Sequence, residues 1–270
     1  MKKTYILFYL LIISQLIFSQ SKKETGFFDN FISDTEIFFI DGASFVTYPL
    51  GMNKNQWLTT AGIGLGTYLL VRNDDYIQER IGRRNLPELE TGVWGFAEEY
   101  GVIQYAELAG VVTYTFGYLT KNDDARILGR MIVQSLTYSG LTAMFVRMIA
   151  GRKRPPFSNN HLDFTGFETN NSFQSFPSGH TTVAFAFSTV LAEYFDTPWS
   201  RIGFYGMAGL SAAERLLNDE HWFSDVTLGA LLGIASGLHV ISEEKTRNKK
   251  NNGGLKISPT FNGINFQYNF

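Results

Sequence analysis

Apolar residues gather along this chain into six long segments that are separated by polar stretches. Within each segment they recur at helical spacing, with little of the strict alternation that is typical of a strand. Glycine, alanine, serine and threonine are frequent among them, and such small residues let helices pack closely. The pattern therefore predicts an all-α fold, a helical bundle of about six core helices. The predicted segments are residues 57–71, 102–119, 126–147, 181–195, 202–217 and 226–241.

The beginning of the chain departs from this pattern. Lys2 and Lys3 precede a short apolar run that ends at the small residue Ser19, so residues 1–19 are interpreted as a signal peptide. The alternative is an uncleaved membrane anchor, although the run is short for a membrane span. Both interpretations predict export, with a periplasmic location for the rest of the chain.

The rest of the chain divides into three parts. Residues 20–56 form a mixed, aromatic N-terminal segment, and residues 57–244 hold the predicted helical domain. Residues 245–270 are interpreted as a polar linker and a tail. The last residues, 255–270, alternate loosely between apolar and polar, so they could form a short β-hairpin divided at Asn262 and Gly263.

Composition narrows the classes of function. Hydrophobic residues make up 44% of the chain and charged residues 18%, so a large core can be buried. The formal net charge is −2, which supplies no overall field to attract nucleic acid, and no nucleic-acid partner is expected. An anion site would have to be local. The chain has no cysteine, which excludes disulfides, thiolate metal sites and a cysteine nucleophile.

Polar residues that could bind an anion lie at the ends of the predicted helices. Arg147 and Arg154 are seven residues apart, so they are expected on one face of a helix that Pro155 would end. Residues 177–180, Pro-Ser-Gly-His, come directly before an apolar helix. The unpaired N–H groups at such a helix N-terminus form a ready anion site.

A third cluster combines Arg215, His221 and Asp225. His221 and Asp225 are four residues apart and are expected to share a helical face. A carboxylate in that position can hold a histidine in one tautomer and raise its basicity. If consecutive helices alternate in direction, all three clusters fall at the same end of the bundle. Arginine is also the side chain best suited to forked phosphate contacts.

The three clusters in this order resemble the three-part signature of the type 2 phosphatidic acid phosphatase and haloperoxidase superfamily. The resemblance covers residues 147–225 by motif, and it identifies residues 57–244 as a phosphatase-like helical domain. Two positions depart from the family pattern. Arg147 stands where the family usually has lysine, and Glu214 stands where it usually has serine. The first change keeps the positive charge, whereas the second places a negative charge beside Arg215.

The resemblance implies a metal-independent phosphatase that needs no cofactor. His221 would attack phosphorus and become phosphorylated, Asp225 would orient it, and His180 would protonate the leaving oxygen. The phosphoryl oxygens would be held by Arg147, Arg154, Ser178, Gly179 and Arg215.

The substrate class is left open between phosphorylated lipids, pyrophosphates and small phosphomonoesters. Two other functions stay as alternatives: a haloperoxidase with vanadate in the same site, and a non-catalytic anion-binding relative, which Glu214 favours. The loop 156–176 contains five phenylalanines and is expected to cover the mouth of the site, which would suit an acyl or prenyl chain.

Several other polar residues are expected to be structural. Glu107 interrupts an apolar segment and should pair with an internal arginine such as Arg130. His161 lies in a polar loop and His239 on an apolar helix, and neither is assigned to the site. The acidic residues 219–220 are expected to form the turn before the last helix.

The apolar segments are short for membrane spans. Five of the six last about 15 to 18 residues, near the lower limit for a helix that crosses a bilayer. Several contain glutamate, glutamine or arginine, which are costly in lipid, and the mean hydropathy is −0.05. A soluble or membrane-associated periplasmic bundle is therefore favoured, with an integral membrane protein as the alternative.

Overall fold

The computed structural model describes residues 27–81, 91–168, 170–252, 254–260 and 263–269. The predicted signal peptide lies outside the described residues. Within them the chain forms eight α-helices and one pair of strands, which confirms the all-α prediction. The helices are α1 Phe27–Thr47, α2 Lys54–Ile81, α3 Gly92–Tyr100, α4 Ile103–Thr120, α5 Asp123–Ala150, α6 Gly179–Phe195, α7 Pro198–Leu217 and α8 Phe223–Asn252.

Each of the six predicted segments corresponds to one of these helices, namely α2 and α4 to α8. The other two helices have no predicted counterpart. In α1, Phe38 and Phe45 pack against Tyr138 whereas Phe39 is exposed, so no single face of that helix stands out in the sequence. Helix α3 has only nine residues, too few to establish a helical period.

Helix α6 lies at the centre of the bundle and packs against α5, α7 and α8. It meets α8 along three glycines that are spaced four residues apart. A Cβ at Gly229 would lie 2.6 Å from the Ser178 carbonyl oxygen, and one at Gly233 would lie 2.5 Å from the Thr182 carbonyl oxygen. The two helix backbones can approach this closely only because these positions lack side chains. The seam therefore fixes the start of α6 against the start of α8.

Helix α1 is held to α5 and α8 by buried charges. Asp34 is 3.1 Å from Arg130 Nε, and Asp41 is 2.9 Å from Arg247. Arg130 also bonds Glu244 of α8 at 2.7 Å. These pairings overturn the expected pairing of Arg130 with Glu107. Part of the segment 20–56 thus packs directly against the domain that follows it.

The C-terminal part begins with the end of α8, which continues to Asn252 and so includes the first residues of the predicted linker. Two strands follow, β1 Gly254–Thr260 and β2 Gly263–Asn269. They pair antiparallel, from Gly254 opposite Asn269 to Thr260 opposite Gly263. This is the hairpin that the alternating pattern predicts.

Helix α4 distributes its residues by size in a way that differs from a water-soluble bundle. Its buried positions are all small: Ala106, Ala109, Gly110, Thr113 and Gly117. Most of its exposed large residues are apolar or aromatic: Tyr105, Leu108, Val111, Val112 and Leu119. A helix in water normally turns its large apolar residues toward the core. The outer face of α4 therefore suits an apolar environment.

Exposed apolar side chains also continue onto neighbouring helices. Helix α5 adds Leu141, Met144, Phe145, Met148 and Ile149 to this surface, and α1, α2 and α7 carry further exposed phenylalanine, leucine and tryptophan residues. Contiguous apolar surface of this extent marks a site of contact with a protein or a membrane. By length and composition, one helix among the described residues, Phe223–Lys249, could cross a bilayer, and half of its most apolar window is buried inside the fold.

Candidate active site

A cavity of about 640 Å³ opens where α4, α5 and α6 meet. Five of the eight predicted site residues line it: Arg147, Arg154, Gly179, His180 and His221. The other three, Ser178, Arg215 and Asp225, are buried next to these residues but do not line the cavity. The structure thus brings the three sequence clusters to one end of the bundle.

Arg147 lies in the last turn of α5, and its Nε donates to the Pro177 carbonyl oxygen at 2.9 Å. Gly151 ends this helix in the left-handed conformation, with φ of 52°. Arg154 therefore follows the helix instead of sharing a face of it, so that part of the prediction was wrong. Burial, with the neighbouring charge of Arg154, lowers the pKa of the Arg147 guanidinium. A bound anion would offset this lowering of the pKa and stabilise the charged guanidinium.

Arg154 is held at the cavity by residues from two loops. Its Nη1 donates to Glu220, and its Nη2 lies 3.4 Å from the Asn171 side-chain oxygen. Glu220 was expected only to form a turn, so its contact with Arg154 is a new feature of the site. Asp219 does serve as a turn residue, with φ of 59°.

The N-terminus of α6 points into the cavity. Ser178 is the N-cap, and its Oγ accepts from the Thr181 N–H. The Ser178 N–H itself donates to the Asp225 carbonyl oxygen at 2.9 Å, so it is not free for an anion as the sequence suggested. The N–H groups of Gly179 and His180 have no partner within the helix. A Cβ at Gly179 would lie 1.9 Å from Arg147 Nη2, so any larger residue at this position would displace the Arg147 guanidinium.

His221 is buried, with 2% of its surface exposed, and its Nδ1 lies 3.5 Å from Asp225 Oδ2. Helix α8 begins at Phe223, so His221 precedes the helix instead of sharing its face as predicted. The turn is closed by the Trp222 N–H, which donates to Asp225 Oδ2 at 2.9 Å. Burial lowers the pKa of His221, and Asp225 opposes that shift.

Arg152 is a member of the site that sequence reasoning missed. Its Nη1 donates to Asp225 Oδ1 at 2.7 Å, and both side chains are fully buried. Ser175 was also missed, and its hydroxyl donates to Asp225 Oδ2. Burial alone would raise the pKa of Asp225, but the charges of Arg152 and His221 and the bonds that Asp225 accepts together lower it. Arg152 lies in a short basic run, residues 152–154, which resembles an ordinary surface cluster and gives no local signal of burial.

Arg215 is engaged by two carboxylates. Its Nη2 donates to Glu214 Oε1 at 2.7 Å and lies 3.1 Å from Glu98 Oε1 of α3. Glu214 is fully buried, and burial raises the pKa of its carboxyl. The charge beside Arg215 that the sequence indicated is therefore in direct contact with it.

His180 is surrounded by positive charge. Burial, together with the nearby positive charges of Arg215, His221, Arg154 and Arg147, lowers its pKa to about 3. Near neutral pH these surroundings keep the His180 imidazole neutral. A phosphate dianion among the same groups would reverse this field and favour the protonated imidazole.

The rest of the cavity is a mostly apolar groove that leads away from the charged end. Two polar residues of α4, Gln104 and Glu107, belong to this lining. The apolar lining includes Ile103, Leu136, Leu141, Met144 and Val183. Among the described residues of the loop 156–176, only Gln174 contributes. None of the five phenylalanines of that loop lines the cavity. Two of them, Phe164 and Phe176, pack against the Arg152 guanidinium instead.

The two other histidines have structural surroundings, as expected. His161 Nδ1 lies 2.6 Å from Asp75 Oδ2, and His239 Nε2 lies 3.1 Å from the Asp41 carbonyl oxygen. Among the residues described, no group of three or more histidine, aspartate or glutamate side chains could hold a metal ion.

Comparison with known proteins gives a family match that includes all three clusters. Residues 128–249 match the model of the PAP2 superfamily. Over 124 residues the chain is 34% identical to a lipid A 1-phosphatase of Porphyromonas gingivalis, which covers 45% of this chain and 25% of that protein. Over 108 residues it is 32% identical to a lipid A 1-phosphatase of Rhizobium etli, covering 39% of this chain and 46% of that one. The chain thus spans less than half the length of these curated relatives.

A solved structure shares the fold. It is the crystal structure of the first transmembrane PAP2 type phosphatidylglycerolphosphate phosphatase from Bacillus subtilis. The TM-score is 0.51 with 19% sequence identity, over 80% of this chain and 96% of that chain.

Proposed function

We infer from the membership of this chain in the PAP2 superfamily, matched over residues 128–249, that it is a metal-independent phosphatase for phosphorylated lipids. The observation that carries the proposal is the single cavity lined by Arg147, Arg154, His180 and His221 at the N-terminus of α6. Phosphoryl transfer requires mainly positioning and neutralisation of charge. Two arginines and two helix N–H groups meet that requirement around a phosphate placed between the two histidines.

In the first chemical step His221 is the nucleophile. Its Nδ1 faces Asp225, which leaves Nε2 for attack. The Nε2 lone pair forms a bond to phosphorus while the bond from phosphorus to the lipid oxygen breaks, and that electron pair leaves with the oxygen. His180, protonated in the presence of the phosphate, gives this oxygen its proton.

In the second step water releases the phosphate. A water oxygen attacks phosphorus, the bond from phosphorus to Nε2 breaks, and its electron pair returns to His221. His180 takes up the proton from water, which restores both histidines. Asp225 stabilises the positive charge that the His221 ring carries while the phosphohistidine exists.

Arg215 and Ser178 lie behind the phosphate cradle, which is the group formed by Arg147, Arg154 and the N–H groups of Gly179 and His180. The field of Arg215 acts on His180, and its pairing with Glu214 holds it in a fixed orientation. Ser178 orders the helix start that presents the Gly179 N–H. Direct contact of either side chain with phosphate would need a shift when substrate binds, which is common when apo sites tighten.

The lipid preference rests on the shape of the cavity and on the relatives. The groove between α4, α5 and α6 continues from the arginines along apolar side chains, as an acyl chain would require. The curated relatives described above are named lipid A 1-phosphatases. A phosphate-release panel across lipid A, phosphatidic acid, prenyl pyrophosphates and soluble phosphomonoesters would rank these substrates.

Membrane association follows from the outer surface of the bundle. The large exposed apolar residues of α4 and α5 border the same groove that would take the lipid. Contact with lipid would cover that surface and admit a substrate from the side. We expect the protein to stay with membranes through a high-salt wash, because salt screens charges but not apolar contacts. Full release by high salt would show that the protein is attached to the membrane only through charge interactions.

The covalent intermediate provides the decisive test of the mechanism. A rapid quench that avoids acid should trap labelled phosphate on the wild-type protein and not on His221→Ala. With His180→Ala, an aryl phosphate should still label the protein, because its leaving oxygen needs little protonation. Label on His221→Ala, or no label on His180→Ala with any leaving group, would show that the two roles are assigned wrongly.

A further inference from the structure

Arg152 uses its guanidinium to join four separate segments of the chain. Nη1 donates to Asp225 Oδ1 and to Ser224 Oγ, each at 2.7 Å. Nη2 donates to Asp74 Oδ2 at 2.8 Å, and both Nε and Nη2 donate to the His161 carbonyl oxygen. A guanidinium with all its nitrogens bonded is held in one orientation.

The surroundings of this guanidinium exclude water. Its central carbon lies 4.9 Å from the ring centre of Phe164 and 5.3 Å from that of Trp222. Arg152, Asp74 and Asp225 each have no exposed surface. Charges in such a place interact more strongly than charges in water.

Asp74 comes from α2, outside the segment that matches the family model. Besides Arg152 it accepts from the Ser224 N–H at 2.9 Å and from the Ser224 hydroxyl. Ser224 directly precedes Asp225, so one aspartate of α2 fixes both the charge and the backbone behind the His221 pair.

The balance of charge indicates what Asp74 does for His221. A single guanidinium against Asp225 would form a neutral pair, and that pair would do little to stabilise positive charge on the imidazole. A second carboxylate restores one net negative charge to the cluster. The imidazole becomes positive when it attacks phosphorus, so the extra carboxylate favours the transition state.

Resting on the proposed function, we propose that Asp74 and Arg152 are positioning residues, which hold Asp225 and set the basicity of the His221 nucleophile from a buried ion chain. Burial raises the pKa of the Asp74 carboxyl, and the charge of Arg152 with the bonds from Ser224 opposes that rise. The charged groups that face His221 directly are Asp225, Arg147, Arg154 and the titratable His180.

The test compares Asp74→Asn with Asp75→Asn in the full chain, using a water-soluble aryl phosphate. Asp75 is the next residue of α2, but it is 51% exposed and contacts His161. For Asp74→Asn we expect kcat to fall about 10- to 100-fold, the usual cost of losing a partner behind a reacting group, with KM unchanged. The Asp75→Asn control should stay within about twofold of wild type.

Two readouts separate positioning from simple stability. Loss of the Asp74 charge should lower the pKa of His221, so the acid limb of the kcat/KM profile should shift to lower pH in Asp74→Asn alone. The ring ¹⁵N resonances of the four histidines should show the same downward shift for His221 without any turnover. An unchanged profile and an unchanged His221 titration in a folded Asp74→Asn protein would overturn the proposal.

The design also distinguishes failure of this proposal from failure of the proposed function. A wild-type protein that releases no phosphate would refute the phosphatase, and the His221 titration would still decide the role of Asp74. If Asp74→Asn does not fold, the Ser224→Ala variant tests the proposal in its place. That substitution removes the hydrogen bonds from the Ser224 hydroxyl to Asp74 and from Arg152 to the hydroxyl, but it removes no charge. It should lower kcat with KM unchanged, and wild-type kcat in that variant would reject the ion chain.

Discussion

Gly179→Ala should disable the phosphate cradle by displacing one arginine. The added Cβ would lie 1.9 Å from Arg147 Nη2 and 2.9 Å from its Cζ. Ordinary contact between non-bonded atoms begins at about 3.5 Å, so the guanidinium must move away by about 1.5 Å. Gly179 begins the most buried helix of the bundle, so the arginine side chain, not the backbone, will move.

The size of the effect follows from that displacement. A misplacement of about 1 Å at a reacting centre costs roughly 10²-fold in rate, which corresponds to about 2.7 kcal/mol of transition-state stabilisation. The bond from Arg147 Nε to the Pro177 carbonyl oxygen would be strained as well. We therefore expect kcat/KM to fall about 100-fold, with little change in thermal stability.

The assay is the release of phosphate from an aryl phosphate, with matched variants. Gly206→Ala on α7 is the control, because a Cβ there meets nothing within 4 Å. Arg147→Ala is then combined with Gly179→Ala. If Gly179→Ala acts through Arg147, adding it to Arg147→Ala should lower kcat/KM only slightly further.

Two outcomes would refute this reasoning. Wild-type kcat/KM in Gly179→Ala would show that Arg147 can hold phosphate from another position. Fully additive losses in the double variant would show that the glycine acts independently of Arg147, for instance through its own N–H group.

Three further predictions test the remaining parts of the cradle. Arg147→Lys should keep activity within about tenfold of wild type, because a point charge suffices at that position. Arg154→Lys and Arg215→Lys should lose far more activity, because both nitrogens of each guanidinium fork make contacts that a lysine cannot make. Equal losses in the three variants would contradict these roles. Glu214→Ser should strengthen inhibition by vanadate, because the carboxylate that neutralises Arg215 is removed; weaker inhibition would mean that Glu214 chiefly orients the arginine. Phosphate release should continue in excess chelator, and activity that returns only with a divalent metal would rule out the metal-independent mechanism.

Most of the cradle could be predicted because its signals are local. The start of α6 brings Gly179 and His180 together within one turn, and the Asp225 partner of His221 is four residues away. Side chains this close in sequence meet almost regardless of how the rest of the chain folds. The errors at Arg154 and His221 concern helix ends, where a capping residue such as Gly151 decides the outcome.

The supporting charges could not be predicted, because they join distant parts of the chain. Asp74 and Arg152 are 78 residues apart, and the contact depends on how α2 packs beside the start of α8. Glu98 reaches Arg215 from α3, a helix too short to show a period. No pattern in one sequence reports such pairs before the helices are placed.

The outer surface shows why the sequence favoured a soluble or membrane-associated bundle over an integral membrane protein. Two of the polar interruptions that argued against lipid contact do not face outward: Glu107 lines the cavity, and Arg130 pairs with Asp34 inside the bundle. With these residues turned inward, large apolar and aromatic side chains predominate among the exposed residues of α4. A count of consecutive apolar residues treats an inward glutamate and an outward one alike. The direction of each polar side chain, and not the length of the apolar run, therefore decides whether such a helix can contact lipid.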